Sequence, residues 1–123
     1  MNAKTILLRQ VHPQFLLGGN LSSQAFFPFP KDAGRLSVYD SDLISPAGAF
    51  SHYTNELRLQ SVGVWGVSGK EVDIIGLASE PDPLPDFPTH AVIDFGKADK
   101  EYRKLAKRLK AFAQARGCLY KPE

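Results

Sequence analysis

Residues Thr89 to Gly117 read THAVIDFGKADKEYRKLAKRLKAFAQARG, and within them the apolar period changes from two to about 3.6. From Thr89 to Phe95 the side chains alternate: Ala91, Ile93 and Phe95 fall on one face, His90, Val92 and Asp94 on the other, which predicts a strand. From about Ala98 to Arg116 the apolar residues Tyr102, Leu105, Ala106, Leu109, Phe112 and Ala113 recur at three- and four-residue steps, which predicts a helix with one buried stripe. Asp99 and Glu101 fall in its first turn, where the helix dipole favours anions, and Gly117 supplies the stop. A strand feeding a long amphipathic helix sets the expected class. The chain is read as a single α+β domain over 1–123, with a four- to five-stranded mixed or mostly antiparallel sheet and this helix packed on one face.

Working back from that stretch, Glu80 to Pro88 (EPDPLPDFP) has four prolines and predicts a stiff extended connector. Pro85 to Pro88 also fits PxxP, a pattern of peptide ligands, although basic neighbours are missing. Val62 to Val67 is a continuous apolar run of strand length, whose Gly63 and Gly66 suggest close packing against another backbone. Ser68 and Glu71 have the spacing of a capping box, so Val72 to Ile75 is read as a short helix ending at Gly76. Ser45-Pro46 has the form of a helix start, with Phe50, Tyr53 and Leu57 on one face and an end near Leu59. Arg35 to Asp40 alternates as a strand, with Leu36, Val38 and Asp40 on one face and Ser37 and Tyr39 on the other.

Val11 to Asp40 collects the residues most typical of sites. His12 precedes a proline and should end an extended segment, Gly18-Gly19-Asn20 should turn, and Asp32-Ala33-Gly34 should turn again. Between the turns lie Ser22, Ser23 and the run Ala25-Phe26-Phe27-Pro28-Phe29-Pro30, too rich in proline for a central strand and better suited to an edge or cover. Its three phenylalanines are read as a lid on the core or as the lining of a pocket for a flat ligand. Upstream, Thr5 to Arg9 is short and apolar, a first strand and not the core of a signal peptide.

The segments His12-Pro13, Ser23-Gln24-Ala25-Phe26, Pro30-Lys31-Asp32, Leu36-Ser37-Val38, Gly63-Val64-Trp65-Gly66-Val67 and Thr89-His90-Ala91-Val92-Ile93-Asp94 resemble a family of small uncharacterised bacterial proteins. The resemblance runs from about Arg9 to Asp94 and implies a bacterial, stand-alone domain. His52-Tyr53-Thr54, with Leu57 and Gly63-Val64 after it, is similar to the HxT segment of some ADP-ribosyltransferases. That similarity implies His52 on the ribose of a nicotinamide cofactor and Glu71, by chain order, as catalytic glutamate. The chain departs from the pattern because His52 falls on a predicted helix and Glu71 in a predicted cap.

Composition narrows the function classes. With 43% hydrophobic and 23% charged residues the chain is of ordinary globular composition. A single cysteine, Cys118, leaves no internal disulfide, which fits a cytoplasmic setting, and no apolar run approaches the ~20 residues that span a bilayer. Lys97 to Lys121 holds nine basic and two acidic residues, net +7, so that a whole-chain charge of +2 leaves the remainder at −5. The helix face carrying Lys100, Arg103, Lys104, Lys107 and Arg108 is read as solvated, or as a partner-binding face. His12, His52 and His90 show no metal-ligand spacing, so neither a metal nor a cofactor is expected. His90 and Asp94 are about 13 Å apart along one strand and cannot pair.

The expected function is a small cytoplasmic binding or accessory module that recognises a protein partner or an acidic ligand and performs no catalysis of its own. The competing class is an enzyme acting on a nucleotide or nucleic acid. Its cleft would join His12, Ser23, His52 and His90 and be lined by Phe26, Phe27 and Phe29. A third class, a nucleic-acid binder, would use the basic helix alone.

Overall fold

The computed structural model describes residues 1–29, 33–96 and 99–122. Among the described residues seven strands form, β1 (Ile6–Gln10), β2 (Leu16–Leu17), β3 (Asn20–Leu21), β4 (Arg35–Asp40), β5 (Val64–Ser68), β6 (Ala78–Pro81) and β7 (His90–Asp94). Three α-helices accompany them, α1 (Pro46–Ser51), α2 (Gly69–Ile74) and α3 (Tyr102–Arg116). Five strands make one sheet in the order β5-β1-β4-β7-β6, with every pairing antiparallel. The fold is therefore α+β, and its main sheet is antiparallel throughout, not mixed.

Alternation decides which side chains go to which layer. Leu7, Leu36, Val38, Trp65, Val67, Ala91 and Ile93 point to one face, where they meet Ala106, Leu109 and Ala113 of α3, Val72 of α2 and the buried Phe26. Leu8, Tyr39 and Val64 point to the other, against Ala49 of α1, with Phe50, Tyr53, Phe87 and Tyr120 packed around them. Both faces are covered, so the middle of the sheet reads as apolar on both sides.

Helix starts follow their capping chemistry. The Ser45 hydroxyl accepts from the Gly48 N–H with Pro46 at the first helical position, and Ser68 and Glu71 close a reciprocal capping box around α2. α1 does not continue regularly to Leu59. It passes into a π-helical turn, His52–Glu56, and Arg58 leaves with a positive φ. The Thr54 hydroxyl donates to the Phe50 carbonyl, which competes with the backbone ladder there. α3 is likewise shorter than expected: Asp99–Glu101 form a 3-10 turn and the α-helix starts at Tyr102. The expected start at Ala98 lies outside the described residues, as do Pro30, Lys31 and Asp32 of the cover and its following turn.

Three elements were not visible to periodicity. β6 carries Ala78, Ser79, Glu80 and Pro81, poor strand formers tolerated because the strand is an edge. β2 and β3 are two residues each, joined by Gly18 and Gly19, both at positive φ as a tight hairpin demands. The opposite edge, β5, is closed by the C-terminal segment: Leu119 N–H donates to the Val64 carbonyl, and Val64 N–H to that of Tyr120. The same closeness explains Gly63, where a Cβ would lie 2.9 Å from the Tyr120 carbonyl oxygen.

Trp65 is 5% exposed between the sheet and α3. Trp65→Ala is expected to cost about 3 to 5 kcal/mol in denaturant unfolding, and Trp65 fluorescence should resist aqueous quenchers until the protein unfolds. Ser45→Ala should cost roughly 1 kcal/mol, since it orphans the Gly48 N–H at the start of α1.

Candidate functional site

The residues proposed for one cleft are divided by the sheet. Phe26 is completely buried in the core on the α3 side, whereas His52 and His90 lie on the opposite face with Tyr39 and Phe87. His12 is apart from both. Its Nδ1 accepts from the Gln14 N–H at 3.1 Å, capping the 3-10 turn Pro13–Phe15, and its ring lies against Phe15. Phe29 is 52% exposed. A cleft joining His12, Ser23, His52, His90 and all three phenylalanines is thus not formed, because alternation along β7 and burial of Phe26 send its members to different faces.

Two groupings do form. In the first, Phe87 packs at ring-centroid distances of 4.4 Å from Tyr39 and 4.8 Å from His52, both tilted, and 4.7 Å edge to face from His90. Strand register places Tyr39 directly opposite His90, and the π-helical turn delivers His52. His52 Nε2–H donates to the Asp86 carbonyl at 3.0 Å, which leaves Nδ1 to accept from the Tyr39 hydroxyl at 2.7 Å. His90 Nδ1–H donates to the Asp82 carbonyl at 2.8 Å, with the Asp82 carboxylate at 3.2 Å, and Nε2 accepts from Ser37 at 3.0 Å. All four imidazole nitrogens are occupied by the protein. The histidines therefore fasten the connector, whose prolines leave it few hydrogen bonds of its own, onto the sheet.

Burial raises the Tyr39 hydroxyl well above the ordinary tyrosine pKa, and the neighbouring Tyr53 and Glu56 push it the same way. The Tyr39 O–H therefore serves as the hydrogen-bond donor to His52 Nδ1. Within the connector, Leu84 and Phe87 exchange both backbone hydrogen bonds in a tight turn, so Pro85 to Pro88 does not present the extended left-handed helix that PxxP readers bind.

In the second grouping, the 3-10 turn Ser23–Phe26 is held against α3, and Ser23, Gln24 and Phe27 converge with Arg103 and Lys107 around a hollow of about 340 Å³. Phe27 meets Tyr102 edge to face at 6.2 Å. Lys100, Arg103, Lys104, Lys107 and Arg108 are exposed, and none makes an ion pair among the described residues. Gln24, Tyr39, Asp82, Asp86 and Phe87 were not singled out from the sequence. Their partners are supplied by strand register and loop closure, which spacing does not encode.

The ADP-ribosyltransferase-like reading has no geometry to support it. His52 is in a π-helical turn, not a strand, and its ring nitrogens are taken. Glu71 accepts from the Ser68 N–H at 2.8 Å and from Arg116 at 2.6 Å. Among the described residues no cluster of three or more His, Cys, Asp or Glu is placed to hold a metal ion, and no helix is long and apolar enough to cross a membrane. Comparison of the chain with protein-family models, with curated proteins and with solved structures finds no match.

Burial alone would raise the Glu71 carboxyl, but the Arg116 guanidinium and the Ser68 N–H outweigh it and hold the pKa below the ordinary glutamate value of 4.5. A depressed folded-state pKa contributes stability that is fully present above the unfolded-state value and is lost as pH falls through the folded one. Glu71→Gln is therefore expected to be less stable than the parent at neutral pH. In denaturant melts the gap should shrink as the pH is lowered from about 5 to about 3; a gap constant over that range would contradict the ionised pairing.

Proposed function

We propose that this protein is a binding module that recognises an acidic segment of a protein partner through the hollow between α3 and the Ser23–Phe26 turn. The observation that carries the reading is the convergence of Arg103 and Lys107 with Ser23, Gln24 and Phe27. Arg103 offers a planar fork that fits a carboxylate or phosphate through two parallel hydrogen bonds, and Lys107, one turn on, adds a mobile point charge. Ser23 and Gln24 supply neutral polar contacts, while Phe27 gives an apolar wall for the stem of the ligand. Without internal ion pairs among the described residues, these cations need not lose a partner in order to bind. The catalytic alternative draws less support, because His52 and His90 have both ring nitrogens engaged by the protein and His12 lies apart from them.

A compact acidic ligand also suits the charge distribution better than a duplex. The net −5 of the residues outside 97–121 would oppose a long polyanion lying across the molecule, whereas a short acidic segment can remain over α3.

Titration with an oligoglutamate peptide at low ionic strength should shift the NMR signals of Phe27, Arg103 and Lys107, and the affinity should fall as salt rises. Arg103→Glu with Lys107→Glu should weaken binding by about tenfold or more while changing stability by less than about 1 kcal/mol, because both positions are exposed. Absence of these shifts would overturn the reading. Tighter binding to a DNA duplex, with a logarithmic salt slope of about 0.9 for each phosphate contacted, would replace it with nucleic-acid recognition.

A further inference from the structure

The stretch Glu80 to Pro88 carries three acidic residues, and two of them are committed within the molecule. Glu80 pairs with Arg35 at 3.1 Å, and Asp82 lies 3.2 Å from His90. Asp86 makes no ion pair among the described residues. It stands at the tip of the connector, where Leu84 and Phe87 exchange both backbone hydrogen bonds at 3.0 Å and Pro83, Pro85 and Asp86 are exposed. Leu84, at the same tip, is left 43% exposed. The tip is held before any partner arrives: His52 donates to the Asp86 carbonyl and His90 to that of Asp82, and prolines stiffen the chain between them.

Granted that the hollow between α3 and the Ser23–Phe26 turn takes acidic ligands, we infer that its occupant is this tip on a second copy of the chain. The two surfaces match in charge and in polarity. The Asp86 carboxylate supplies the anion that Arg103 and Lys107 lack among the described residues, and Leu84 supplies an apolar group for the wall at Phe27. A preformed tip loses little conformational freedom on docking, which favours it over a flexible acidic tail of equal charge. Phe87 beside the tip packs on the sheet face away from α3, whereas the hollow lies on the α3 side, so the contact joins different molecules. Hollow and tip are distinct patches. The association is therefore head to tail, and a pair of copies keeps one hollow and one tip free for further copies. A single turn in a single hollow is a contact below the roughly 1,200 Å² of stable interfaces, so a Kd of about 0.1 to 1 mM is expected at low salt.

The test is sedimentation of the whole protein at low ionic strength. Its average mass should rise with concentration and fall back as salt is added. Leu84→Ser with Asp86→Asn disables the tip, and Arg103→Gln with Lys107→Gln disables the hollow; these positions are exposed, so both variants should fold. Each variant alone should associate at least tenfold more weakly than the parent. Mixed, the two should form a one-to-one complex that grows no further, since one intact tip then meets one intact hollow. A protein that stays monomeric at millimolar concentration yet binds oligoglutamate would overturn this inference and leave the hollow to an acidic segment of a different protein. One that does neither would overturn both readings. Self-association that survives undiminished in either variant, or a mixture that gives no complex, would also overturn it.

Discussion

The register of β4 between β1 and β7 is the constraint on which the rest of this structure depends. Leu8 faces Tyr39 on one side of β4, and Tyr39 faces His90 on the other. Because side chains alternate, a slip by one residue would send Leu36 and Val38 toward Phe87 and the histidines, and Ser37 and Tyr39 into the core beneath α3. Two dissimilar layers make that slip costly. One face demands aliphatic side chains against a helix, and the other demands a hydroxyl and a phenol that imidazoles can use.

From that register come two different surfaces. Beneath α3 the sheet is sealed by Trp65, Ile93, Leu109 and Phe26, and the seal fixes the Ser23–Phe26 turn beside the cationic side of the helix. On the far side the covering layer is thinner and more polar. A short helix with a π-helical turn and a proline-rich loop lie there, tied down through His52, His90 and the ring of Phe87 packed between them. Prolines stiffen that loop but cannot donate backbone hydrogen bonds, so side chains that come to its carbonyls add to the few backbone bonds it makes, such as Asp82 N–H to the His90 carbonyl.

The functional reading follows from the same division. Lys100, Arg103, Lys104, Lys107 and Arg108 form no ion pair among the described residues, while His52 and His90, which resemble catalytic groups in the sequence, are consumed in holding the loop. An imidazole with both nitrogens engaged is a structural clasp. The Arg103 guanidinium, beside Ser23, Gln24 and Phe27, is exposed and outside any ion pair among the described residues, and the proposed binding role rests on that.

Local pattern was enough to determine the α+β class, strands over 35–40, 62–67 and 89–95 that the structure places at 35–40, 64–68 and 90–94, the amphipathic helix ending at Gly117, and the caps at Ser45 and Ser68. Each of these rests on interactions within a few residues or on strict periodicity, and such interactions are written consecutively in the chain. The edge strand at Ala78–Pro81, the π-helical turn at His52 and the two groupings of site residues were decided only by tertiary structure. Tyr39, His52, Phe87 and His90 meet because two strands pair in one register and a loop folds back over them. Phe27 meets Arg103 and Lys107 because a buried neighbour, Phe26, anchors the turn between them. The free energy that selects those contacts is the burial of both faces of one sheet, a property of the assembled layers that no single segment contains.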